Sequence, residues 1–112
     1  MCGNAARMTD FAKIERAAVL GCALLKPDSG QNDRAAFLAA MAQLEGRTDD
    51  SVQVLIAMKL LQGSPCQMMT YDAERTKKAM TLAMHLGGSW VEKGKGTDSS
   101  LRQIVLLPPP PR

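Results

Sequence analysis

Aromatic residues are scarce: 112 residues contain two Phe, one Tyr and one Trp, 4% of the chain. β-branched residues are also few. Together these shortages argue against an all-β fold, whose strands rely on such side chains to fill a pleated face. There is one histidine, His85, and three cysteines, Cys2, Cys22 and Cys66. None of these has the spacing of a zinc site, a CxxC redox pair or a disulfide framework, so no metal and no cofactor are expected. No apolar run reaches the ~18–20 residues of a membrane helix. Residues Met1 to Met8 lack the apolar stretch of a secretory leader. The expectation is a cytoplasmic chain with no membrane span.

What the chain does contain is Ala and Met. Hydrophobic residues make up 46%, with eight methionines, and the net charge is only +3. That is too apolar and too weakly charged for a disordered chain, and the length suits one domain. The charge is unevenly placed: residues 1–74 sum to −2 and residues 75–112 to +5.

The periodicity predicts four helices. The first runs from Asp10 to Lys26, with Thr9 as cap and Phe11, Ile14, Ala18, Cys22 and Leu25 as its apolar stripe; Pro27 stops it. The second runs from Asp33 to Glu45, capped by Asn32 and ended by Gly46. The third runs from Asp50 to Gln62 and is apolar nearly all round between Val52 and Leu61, which predicts burial in a bundle or cover by a partner. A buried strand is the alternative there, because Val52, Val54 and Ile56 are β-branched. The fourth runs from Tyr71 to Leu86 with Thr70 as cap, and Gly87-Gly88 ends it. After it, Trp90-Val91-Glu92 reads as a short strand and Lys93 to Ser100 as a loop. Leu101 to Leu107 reads as a strand pairing back or a short helix, and Pro108 to Pro111 as polyproline-like. The fold expected is all-α, a bundle of three or four helices with an extended or hairpin-like C-terminal tail. The organisation expected is a flexible stretch at 1–8, a helical domain at 9–88, and a basic Gly/Ser loop with a Pro-rich tail at 89–112.

Signals for chemistry are few. Met1-Cys2-Gly3 resembles the start of class II glutamine amidotransferases and of the family that crosslinks abasic DNA, in which an exposed Cys2 would be the nucleophile. The likeness covers three residues, and the apolar strand of the amidotransferases is replaced by Asn4-Ala5-Ala6-Arg7. The stretch from Ser89 to Gly96 has Ser89 where a phosphate loop needs its first Gly and Gly96 where it needs a hydroxyl. Nucleotide hydrolysis is therefore not expected. His85 suits a helix C-terminus, where positive charge is welcome. Asp49-Asp50 read as a helix start rather than an acid/base pair. Most methionines read as core filler, but Met68-Met69, placed in a loop before the fourth helix, suit an adaptable binding face.

Residues from Phe37 to Trp90 resemble the C-terminal helical region of TolC-like outer-membrane factors. The matching elements are Gly46, Val52-Gln53-Val54-Leu55-Ile56-Ala57, Leu61, and Leu82 through Leu86-Gly87-Gly88-Ser89-Trp90. The resemblance implies one long helix through this region. Gly63-Ser64-Pro65 interrupts it, Ser89 stands for the third Gly of the family's "Ala-Leu-Gly-Gly-Gly-Trp", and the chain is too short for the barrel and tunnel. The first half is similar to small conjugal-transfer accessory proteins of the TraC/TraD type at Ala18-Val19-Leu20-Gly21 and Leu44 to Asp50, without their basic N-terminal arm.

The function expected is a small helical protein-interaction module, an adaptor, inhibitor or regulatory protein without catalysis. Its partner is another protein or a second copy. The candidate contact residues are Met68, Met69, Arg75, Lys77, Lys78, Trp90, Lys93 and Lys95. The alternatives are an isolated outer-membrane-factor-like segment, and a nucleic-acid-binding accessory protein using the basic C-terminal third.

Overall fold

A computed structural model describes residues 10–44, 48–70, 72–94 and 102–111, with the side chains of Asp10, Thr48 and Asp49 left aside. It has four helices, α1 (Asp10–Leu24), α2 (Gln31–Ala42), α3 (Thr48–Leu61) and α4 (Ala73–His85). Three strands join them, β1 (Cys66–Met69), β2 (Ser89–Lys93) and β3 (Gln103–Leu107). The chain divides into two compact units, Met1–Met58 and Lys59–Arg112.

The first unit is helical. α1 ends as expected before Pro27, with Leu25 and Lys26 forming a closing turn whose N–H groups donate to Cys22 O and Ala23 O. α2 begins two residues earlier than expected. Gly30 takes the cap position, and its N–H donates to Asp33 Oδ2 at 3.1 Å. The expected terminator, Gly46, lies outside the described residues. Ile14, Ala17, Ala18, Ala40 and Leu44 are buried, and Cys22 Sγ donates to Met58 O at 3.7 Å. α3 is a helix, not a strand, yet its faces differ from the expectation. Leu55 is 65% exposed, while the polar Gln53 is 0% exposed with neither amide atom hydrogen-bonded. A buried amide without partners keeps its full desolvation cost.

The second unit overturns the all-α expectation. β1, β2 and β3 form an antiparallel sheet in the order β1-β3-β2, so the molecule is a mixed α/β fold. The residues around Met68 that were expected to be a loop form β1. The local sequence Cys-Gln-Met-Met has little strand propensity. Its pairing is dictated by β3, the apolar central strand, which presents backbone groups on both edges and needs a ladder on each. The register pairs Cys66 with Leu106 and Met68 with Ile104 on one side of β3, and Trp90 with Leu106 and Glu92 with Ile104 on the other. The hairpin-like element expected after residue 89 is thus two-thirds of this sheet rather than a tail on a bundle.

α4 joins the two outer strands. Its cap is Asp72, not Thr70: Asp72 Oδ1 accepts from Arg75 N at 3.1 Å. Thr70 instead extends the β1–β3 ladder, donating from N and Oγ1 to Arg102 O. Leu60, Thr76, Ala79, Leu82, Ala83, Ile104 and Leu106 are buried in this unit. The ends of α3 and α4 are closed alike. Ser64 N donates to Lys59 O and Gly63 N to Leu60 O; Gly88 N donates to Ala83 O and Gly87 N to Met84 O. Both closures place a glycine at positive φ, Gly63 at 81° and Gly87 at 86°, the left-handed position that ends such helices. Where the outer-membrane-factor resemblance implies continuous helix, the chain turns at Gly63 and enters β1.

Candidate interaction groove

α4 packs against β2 and β3, and a trough lies between it and β2. Its buried stripe, Thr76, Ala79 and Ala83, is flanked by Lys77, Met80 and Met84. These face Trp90 and Glu92 of β2 across a groove of about 370 Å³, floored by Ile104. Strand alternation explains the arrangement. Ile104 and Leu106 point to the α4 side, so their register partners Met68, Trp90 and Glu92 point there too. Met84 is 61% exposed on the groove wall. At one end Arg102 Nη2 lies 3.9 Å from Glu92 Oε2. Both side chains are well exposed, so the pair orients the groove mouth more than it stabilises the fold.

The expected contact residues separate into distinct places. Lys77 and Trp90 come together in the groove. Met68 shares the α4 face of the sheet, whereas Met69 pairs with Gln103 on the opposite face, so the two methionines are not one binding surface. Lys93 also pairs with Gln103 and points to that opposite face. Arg75 and Lys78 are half-buried on α4 and do not line the groove. Lys95 and Cys2 lie outside the described residues. Met80, Met84, Glu92 and Arg102 also line the groove, and none of them is among the expected contact residues. The helical stripe of Met80 and Met84 was legible, but only the sheet shows which strand it faces.

The opposite sheet face carries Met69, Val91, Val105 and Leu107 with Gln67 and Gln103, whose side-chain amides are hydrogen-bonded to each other. Among the described residues no group of three or more His, Cys, Asp or Glu side chains could hold a metal. No described helix is long and apolar enough to cross a membrane. Burial pushes the Cys22 and Cys66 thiols above their ordinary value; at Cys66 the Lys59 ammonium opposes this. Neither has the lowered pKa of an activated nucleophile.

No protein-family model, no curated protein and no solved structure matches this chain.

Proposed function

We propose that the chain is a non-catalytic protein-interaction module that receives an extended peptide in the groove between α4 and β2. The carrying observation is the apolar trough of Met80, Met84, Trp90 and Ile104 lying directly beside a sheet edge. Such an edge offers backbone N–H and C=O groups to an incoming strand, and the flanking pocket selects its alternate side chains. Lys77 and Arg102 at the mouth favour acidic flanking residues in that strand. Trp90 and the methionines supply the adaptable apolar contact that dominates such surfaces.

The test is selection of a displayed random-peptide library on the immobilised chain. Enriched peptides are expected to alternate apolar residues with polar ones. Their binding should fall at least about tenfold, near 1.4 kcal/mol, on Met84→Glu and be unchanged on Leu38→Glu, a change in the first unit. Failure to enrich any peptide, or enrichment indifferent to Met84→Glu, rejects the groove.

A further inference from the structure

β2 is one of the two edge strands of the sheet, and along its length it carries no feature that blocks pairing. β1 is the shorter edge and is entered directly from Pro65, a residue that blunts strand pairing. β2 contains no proline or bulge, and four of its five residues are exposed, with Val91 at 46%. Among the described residues its outer backbone groups have no partner. Its sequence, Ser-Trp-Val-Glu-Lys, is complementary to itself. In an antiparallel pairing centred on Val91, residues directly opposite share a face. Val91 then meets the partner's Val91, Trp90 meets the partner's Glu92, and Ser89 meets the partner's Lys93. No like charges stand opposite, and the most exposed apolar side chain of the strand is covered.

We infer that β2 pairs with β2 of a second copy, giving a continuous six-stranded sheet with both α4 helices on one face. A two-fold axis perpendicular to the sheet relates the copies, as an isologous contact requires. The groove beside each β2 then opens onto that of its partner, so the Met84 and Trp90 walls of both copies border one cleft. This rests on the reading of the α4–β2 region as a recognition surface and changes its occupant along the edge. The strand that fills it is the chain's own, and a foreign peptide lies in the cleft above it or competes with it.

Light scattering on the full chain across the micromolar range tests the pairing. The expected mass is twice 12.1 kDa at the upper concentrations. Val91→Lys sets two ammonium groups against each other at the two-fold and should return the mass to that of a monomer. Val91→Glu should do the same, and an equimolar mixture of the two variants should recover the doubled mass. Recovery on mixing separates a lost interface from a lost fold. A wild-type chain that stays monomeric throughout, or a dimer whose mass survives both substitutions, overturns the pairing. A monomeric wild type that still enriches groove-binding peptides defeats this inference alone. A dimer that enriches none defeats the peptide reading alone.

Discussion

Gly88 passes the end of β3 so closely that a Cβ on it would overlap the carbonyl oxygen of Leu107. The contact is against backbone, and it falls where β2 begins, next to the Ser89–Leu107 pair. Nothing flexible can move aside. The Gly87-Gly88 step therefore has two requirements: Gly87 supplies the left-handed turn and Gly88 the close approach.

Gly88→Ala is expected to destabilise the fold by about 1–3 kcal/mol, the usual cost of forcing extra atoms into a packed site. Urea unfolding should show a lower midpoint with an unchanged slope. A variant as stable as the natural chain would mean that the β2–β3 end is looser than described.

Gln53 gives a prediction of opposite sign. Its amide is fully buried in α3 and makes no hydrogen bond. Gln53→Met keeps the side-chain length and removes the unsatisfied groups, so it should stabilise by about 1–3 kcal/mol. Thermal unfolding should shift upward. A downward shift would show that the amide has a partner that the substitution removes.

The cysteines set a pH dependence. Burial raises the Cys22 and Cys66 thiols above 9.0, so folding favours the protonated form. Their contribution is complete below pH 9.0 and is lost as the pH climbs through the raised values. In a Cys2→Ser chain, alkylation by iodoacetamide at mildly alkaline pH should be slower in the native state than in denaturant. Equal rates would place the thiols in solvent.

Among the described residues the cations of the basic third do not share one surface, although Arg102 joins Lys77 at the groove. Lys77 faces the groove, Arg75 and Lys78 lie away from it on α4, and Lys93 points to the far side of the sheet. Phosphate binding needs cations that converge on one track. At about 0.15 M salt the chain should pass through a DNA column without retention. Retention that falls steeply with added salt would favour the nucleic-acid reading instead.

The first and fourth helices were readable from a 3.6-residue stripe, and the helix ends from local stops at Pro27, Gly63 and Gly87; the third, apolar nearly all round, left a buried strand open as its alternative. The sheet was only half readable. Trp90 to Glu92 announces a strand by composition and Leu101 to Leu107 leaves strand or short helix open, but Cys66 to Met69 becomes a strand only because β3 needs a second neighbour. That requirement is tertiary and leaves no local mark. The groove was hidden for the same reason. Lys77 and Trp90 were each noticeable, yet their meeting depends on the strand order, and the exchange of Gln53 inward for Leu55 outward in α3 runs against any hydropathy rule.

The strand order also has a consequence in time. The central strand of the sheet is the last in sequence, and both outer strands are made before it. Until Gln103–Leu107 leave the ribosome, β1 and β2 have no ladder to join and α4 has no Ile104 or Leu106 beneath it. The nascent second unit must therefore wait for Gln103–Leu107, with Leu82 and Ala83 of α4 unsheltered until then. A stop codon ahead of Gln103 would remove the keystone rather than trim an edge, and the released fragment would be a substrate for proteases.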